Sequence, residues 1–188
     1  CGNLDILLMR ITKVTTKTGD SGNTGLGNGS RISKNSIRIH AMGLIDELNS
    51  FIGWSRVEAN GTIDKSLELI QQDLFNMGCE LSIPDMEMNL LNDSRLEWLD
   101  GQTDNYNKKM PPLDEFILPG GNEFSSRLHI LRTKCREVER KLIGLSEEDF
   151  VPNLHKKYLN RLSDFFFVLA RYVNSEQGIE ELSWDYKK

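Results

Sequence analysis

Apolar residues recur at three- and four-residue steps through most of the chain. Ile37, Ala41, Leu44, Leu48, Phe51 and Ile52 form one stripe, and Leu67, Ile70, Leu74, Met77 and Leu81 a second. A third set, Leu96, Leu99, Thr103 and Tyr106, is shorter and weaker. The fourth, Phe124, Leu128, Leu131, Cys135, Val138, Leu142 and Leu145, alternates four and three without a break, and Tyr158, Leu162, Phe165, Leu169 and Tyr172 make the last. A helix buries one face with this period, so the pattern predicts about five helices. The breaks agree. Pro84 ends the second helix and Pro111-Pro112 the third; Pro119-Gly120-Gly121 precedes the fourth, and Gly144 and Pro152 bracket the turn before the fifth. Near-uninterrupted 3-4 spacing suits nearly antiparallel packing with a left-handed twist. The expected fold is all-α: one five-helix bundle.

The chain before Ile37 reads differently. Ile11 to Ser36 is rich in Gly, Thr, Ser and Asn, with Gly19, Gly22, Gly25, Gly27 and Gly29, and has no helical period. It is expected to be an irregular loop after a short Ile11–Thr16 strand, with no core of its own. Met9 opens a plausible start, so the single domain is drawn as 9–188. Residues 1–8 are set aside as a leader or appended residues, although Cys1-Gly2-Asn3 also matches the start of a processed lipoprotein.

Composition narrows the function classes. The chain has 188 residues, 38% hydrophobic and 27% charged, with a formal net charge of −5. That is the profile of a soluble domain, and a mildly acidic one lacks the positive excess that sequence-independent nucleic-acid binding needs. No stretch approaches the ~20 apolar residues of a membrane span. Three cysteines, Cys1, Cys79 and Cys135, make no disulfide framework. Cys79 and Cys135 lie in apolar-periodic segments and read as buried reduced thiols, which favours a reducing, cytoplasmic setting.

The candidate chemistry begins in the loop Thr15-Thr16-Lys17-Thr18-Gly19-Asp20-Ser21-Gly22-Asn23-Thr24. Glycines let backbone N–H groups approach a ligand closely, threonines add hydroxyl donors and Lys17 adds charge, a set suited to a polyphosphate. Asp20 is placed to hold Mg²⁺ directly or through water, and Arg31, Lys34 and Arg38 follow with further positive charge. The loop is neither a Walker A sequence nor a dinucleotide fingerprint. On the fourth helix Arg132, Arg136 and Glu139 share one face, with an Arg136–Glu139 pair available. Asp46, among Leu44, Ile45 and Leu48, calls for a cationic partner such as Arg132 or Arg136, or else faces water. Phe165, Phe166 and Phe167 cover most of a helix circumference, so one of them is expected to turn away from the core, toward a subunit interface or a large flat ligand. The histidines, His40, His129 and His155, lack the ExxH spacing of di-iron bundles, and there is no HExxH.

In order, TKTGDSGNTGL, Arg31-Ile32-Ser33-Lys34, AMGLIDELNSFIG, Phe116-Ile117-Leu118-Pro119-Gly120-Gly121, LRTKCREVER and YLNRLSDFFFVLARYVN run from about Ile11 to Asn174. Together they closely resemble the PduO-type ATP:cob(I)alamin adenosyltransferases. The resemblance implies a homotrimer with sites between subunits, transferring the 5′-deoxyadenosyl group of ATP to the cobalt of cob(I)alamin. It implies that Thr16, Lys17, Thr18, Gly19, Asp20, Gly22 and Thr24 form the phosphate side, with Lys34, and that Arg136, Glu139 and Asn160 lie at the nucleotide. It implies that Asp46 and Arg132 pair across the subunit boundary and that Phe116 faces the lower side of the corrin. ATP, Mg²⁺ and a corrinoid are the implied ligands, with a flavoprotein reductase and an adenosylcobalamin-dependent enzyme as possible protein partners. Two departures stand out: Glu137 where the family often has a second arginine, and Met42 for a common aromatic. A corrinoid carrier on the same fold and a purely structural trimeric bundle with a degenerate site are the alternatives; an intact phosphate loop argues against the first, and the presence of Arg136 and Asp46 against the second.

Overall fold

The computed structural model describes residues 15, 17–84 and 86–187. A small hairpin, β1 (Asn23–Gly25) and β2 (Arg31–Ser33), precedes five helices: α1 (Ile37–Arg56), α2 (Gly61–Ser82), α3 (Asp93–Asn107), α4 (Glu123–Glu148) and α5 (Asn153–Glu176). The apolar stripes become the core. Leu48, Ile52, Leu67, Leu74, Leu128, Leu131, Leu142, Leu162 and Phe165 are all fully buried. α4 packs most extensively on α5, and α1 lies against both α4 and α2. α3 has the weakest pattern because it buries only Leu99 and Tyr106, leaning on α5.

Local chemistry starts the two helices that matter most. The Ser36 side chain accepts from the Ile39 amide at the head of α1. Asn122 does the same at α4, accepting from Ser125 N at 2.6 Å. Between α2, α3 and α5, Arg95 reaches Asp73 with Nε at 2.9 Å and Nη2 at 2.9 Å, and the buried Tyr158 hydroxyl donates to the same carboxylate at 2.6 Å. Burial and the Asp73 charge push the Tyr158 hydroxyl far above its usual value. Buried Glu80 and His155 bond to each other, joining the end of α2 to the start of α5.

Three expectations need correction. The region before Ile37 is not wholly irregular: Asn23 pairs with Ser33, Thr24 with Ile32 and Gly25 with Arg31 in antiparallel register. The short period of a three-residue strand is invisible among so many small polar residues. The expected Ile11–Thr16 strand lies outside the described residues except for Thr15, as do residues 1–8, Cys1 included. Second, Gly144 bounds no turn. α4 runs through it to Glu148, because Leu142 and Leu145 on either side are both buried and outweigh the ~1 kcal/mol cost of a helical glycine. Third, Cys135 is buried as expected, with its thiol pushed well up by burial, but Cys79 is only partly so.

The turn into α4 is held tightly. Gly121 has φ +111, and a Cβ there would collide with the Asn174 side chain. Asn174 Oδ1 accepts from Asn122 N at 3.3 Å and its Nδ2 donates to Gly120 O at 3.2 Å. Gly121→Ala therefore meets both a left-handed backbone and an occupied space. It should cost about 2–4 kcal/mol and lower Tm by several degrees in a thermal melt; a melt equal to wild type would contradict this account of the turn.

Candidate active site

The loop before β1 turns back on itself twice. Asp20 N donates to Lys17 O, and Gly22 N donates to Gly19 O at 3.2 Å. Lys17 sits at φ 59, unusual for a residue with a side chain, and Gly22 at φ 84. The Arg31 guanidinium braces the loop, donating to Thr18 O at 2.7 Å and Asn23 O at 3.1 Å. Lys34 N donates to Gly22 O at 2.8 Å, which brings its ammonium over Gly19. The result is a cavity of about 400 Å³ lined by Thr15, Lys17, Thr18, Gly19, Asp20, Thr24, Gly25 and Lys34. It has two ammonium groups, three threonines and one carboxylate. Gly22 makes the turn and does not line the cavity, and Thr16 lies outside the described residues.

The hairpin is anchored on the end of α2. Gly27 N donates to Ser82 O at 2.8 Å, and a Cβ on Gly27 would stand 2.7 Å from Ile83. Arg38 works at this end too, in a different role from the one expected of it. It is 2% exposed. Its Nη1 donates to Leu81 O at 2.7 Å and its Nη2 pairs with Asp149 at 2.5 Å. A guanidinium buried in that way clamps α1, α2 and the α4–α5 turn, and it does not line the loop cavity. Its pull holds the Asp149 carboxyl below the usual range.

A second cavity, of about 240 Å³, opens on α4 and α5. Phe116, Ile117 and Pro119 form one wall, His129, Arg132 and Arg136 another, and Ser163, Asp164 and Phe167 the third. Residues 129, 132 and 136 project from one face of α4, since they are three and four apart. Phe165 and Phe166 are fully buried while Phe167 turns into this cavity, as the excess of apolar surface had required. Arg132 and Arg136 make no ion pair within the described chain, and Arg132 Nε is buried with no partner. Burial and the neighbouring charge of Arg136 lower the Arg132 guanidinium from its ordinary value. The Arg136–Glu139 pair that the spacing allows is not formed; Glu139 lies one turn on, outside the cavity lining. Asn160 also lies just beyond it on α5, its Oδ1 accepting from Arg161 at 2.8 Å. Asp46 is exposed on α1 and has no cationic partner in its own chain among the described residues.

Two features were missed or left open by the sequence. His129, 4% exposed, has neither ring nitrogen hydrogen-bonded; its three-residue spacing to Arg132 was the available signal. Glu137 is turned away from the cavity. It pairs with Lys134 at 3.0 Å, which also holds Glu47 of α1 at 3.0 Å. The missing second arginine is thus replaced by a charge chain between α1 and α4. Met42 packs, partly buried, against the core. A further cavity of about 470 Å³ near Gly61, Tyr106 and Tyr172 contains none of the candidate site residues.

The bundle thus presents a loop cavity of ammonium and hydroxyl groups and, apart from it, a cavity of arginines and aromatic rings. The pattern of the family described as cobalamin adenosyltransferase matches residues 14–173. A cobalamin adenosyltransferase of Cupriavidus metallidurans is 45% identical over 181 residues, covering 95% of this chain and 97% of the relative. A corrinoid adenosyltransferase of Bacillus subtilis is 40% identical, covering 92% of each. A phenylalanine-to-alanine variant of a PduO-type ATP:corrinoid adenosyltransferase from Lactobacillus reuteri, complexed with cobalamin and ATP, superposes with a TM-score of 0.88 at 34% identity, covering 92% of this chain and 99% of that one. The chain belongs to the cobalamin adenosyltransferase family, and is an ATP:corrinoid adenosyltransferase.

The cavity histidine has a measurable consequence. Burial, then the positive charge of Arg132, lowers His129 from 6.5 to about 4. Between those values the unfolded chain binds a proton that the folded chain refuses, so stability falls as pH drops through this window. His129→Leu should flatten that fall by roughly 3 kcal/mol in urea unfolding between pH 7 and 4. An equally steep curve in the variant would exclude His129 as its source.

Proposed function

We propose that the protein transfers the 5′-deoxyadenosyl group of ATP to the cobalt of cob(I)alamin at sites completed between neighbouring protomers of a homotrimer. The observation that carries the intersubunit reading is that the two cavities share no lining residue. One chain offers a phosphate cradle and, elsewhere, an arginine-and-aromatic cavity. Among the described residues of one chain Asp46 has no cation and Arg132 no carboxylate, which suits a pair formed across a boundary. The exposed phenylalanine at 116 (78% exposed) suits a surface that a ligand covers.

The chemistry asks for placement more than for proton transfer. The electron pair of cob(I)alamin attacks C5′, the C5′–O bond breaks, and triphosphate leaves with that bonding pair. No general base is required. What the protein supplies is an in-line geometry and positive charge where the triphosphate develops. Lys17 and Lys34 provide that charge, with Thr18 and Thr24 as hydroxyl donors and the Gly19 backbone allowing close approach. Arg136, presented by a neighbour's α4, closes the nucleotide from the other side, with Glu139 and Asn160 beside it. Among the described residues no group of three or more His, Cys, Asp or Glu side chains converges. A Mg²⁺ ion would therefore be held chiefly by phosphate oxygens and water, with Asp20 the one carboxylate in the cradle, and would supply charge neutralisation.

On the corrin side, Phe116 and Phe167 make the cavity apolar. A ring over the lower face that excludes an axial ligand leaves cobalt four-coordinate, which raises its potential and brings the Co(I) state within reach of a reductase. Arg132, pinned by a neighbour's Asp46, shapes the pocket wall.

Mixing the protein with ATP and chemically reduced cobalamin should give the adenosylcobalamin spectrum with release of triphosphate; no spectral change would refute the activity. Arg136→Ala should lower kcat/KM by about a hundredfold and weaken ATP binding, and unchanged kinetics would remove it from the site. Asp46→Asn should raise the KM for the corrinoid more than the KM for ATP. Equal losses in both would count against the pairing with Arg132.

A further inference from the structure

Phe116 stands on an exposed segment with no core packing to hold its ring, so its place depends on its backbone. That backbone is held from an unexpected direction. Gly178, at φ +65, reverses the chain at the end of α5, and Ile179 N donates to Asn174 O at 2.9 Å. The residues that follow run back beside the Phe116 segment. Leu118 N donates to Leu182 O at 2.8 Å, Trp184 N donates to Phe116 O at 2.7 Å, and Ile117 and Ser183 form an antiparallel bridge.

Two or three backbone bonds on an exposed strip are weak on their own. The strip has a buried fastener. Arg171, 5% exposed on α5, donates from Nε to Glu181 Oε2 at 2.9 Å and from Nη2 to Pro111 O at 3.2 Å. One guanidinium therefore grips the returning tail and the start of the segment that carries Phe116. Glu181 Oε1 is buried without a partner. A carboxylate kept in that state costs stability, and breaking the pair would strand a buried charge.

We propose that the Arg171–Glu181 pair is a latch that fixes the Phe116 backbone, making both residues positioning residues for the corrin-side step. This rests on the reading that Phe116 faces the corrin. The latch touches neither substrate. It acts through the tail, whose Trp184 amide holds the Phe116 carbonyl. Removing it should reproduce the loss of Phe116 function with the phenylalanine still present, and should leave the phosphate cradle alone, because the cradle is lined by residues 15–34 and the strip is made of residues 116–118 and 182–184.

The test uses the full chain with ATP and cob(II)alamin, read by electron paramagnetic resonance for the four-coordinate species, beside nucleotide binding and a thermal melt. Glu181→Gln should lower the four-coordinate fraction by about tenfold, the scale of one charge-assisted hydrogen bond, with ATP affinity unchanged. Glu181→Asp should restore part of it. Trp184→Pro, which deletes the amide donor without touching the ion pair, should show a larger loss than Trp184→Ala, and decides the matter if Glu181→Gln does not fold. Phe116→Ala is the reference. If it forms the species normally, the Phe116 reading falls and the latch with it. If it loses the species while Glu181→Gln and Trp184→Pro keep it, the latch alone is overturned. A Glu181→Gln variant that loses ATP binding equally, or Trp184→Pro no worse than Trp184→Ala, also overturns it.

Discussion

The packing of α4 between α1 and α5 is the constraint on which the rest depends. Leu128, Leu131, Cys135, Val138, Leu142 and Leu145 all turn inward and are essentially inaccessible. With that face committed to the core, helical geometry leaves residues 129, 132 and 136 along the adjacent edge. Their neighbours on that edge are Ser163, Asp164 and Phe167, because α5 buries Phe165, Phe166 and Leu169. The cavity is a by-product of how two amphipathic helices share a core.

Electrostatics separates the arginines into two kinds. Arg38, Arg127 and Arg171 are buried with carbonyl or carboxylate partners, and they tie segments together. Among the described residues Arg132 and Arg136 are left without such partners, one turn apart, and burial and then the charge of Arg136 lower the Arg132 guanidinium. Neighbouring cations with no counter-charge among the described residues favour whatever anion or carboxylate is brought to them.

The approach to the cavity is governed by backbone geometry. Asn174 fills the space that a side chain on Gly121 would need, and it fastens the turn through Gly120 and Asn122. From there the chain leads straight into the Asn122 cap and α4. The same turn leads back to Phe116, whose carbonyl the tail holds. The Phe116 wall of the cavity is thus set by contacts near the end of α5, far along the sequence from the glycine-rich loop.

The helices were legible in the chain itself, since burying one face imposes a period that can be counted. α1, α2, α4 and α5 carry it plainly, α3 faintly because it buries only two residues. The motif order made the family legible as well, and spacing alone put Arg132 and Arg136 on one face. Partnership was not legible. Arg38, near the loop in sequence, belongs to a clamp 111 residues away at Asp149, and Glu137 turns toward Lys134 instead of the cavity. Gly144 reads as a breaker, yet flanking leucines carry the helix through it. Asn174 and Glu181 carried no local signal of their contacts, and His129 only its three-residue spacing to Arg132. The physical reason is one of range: periodicity and turn chemistry act over a few residues and leave their mark in the order of residues, whereas burial, charge pairing and close backbone approach depend on segments that meet only after the chain has folded.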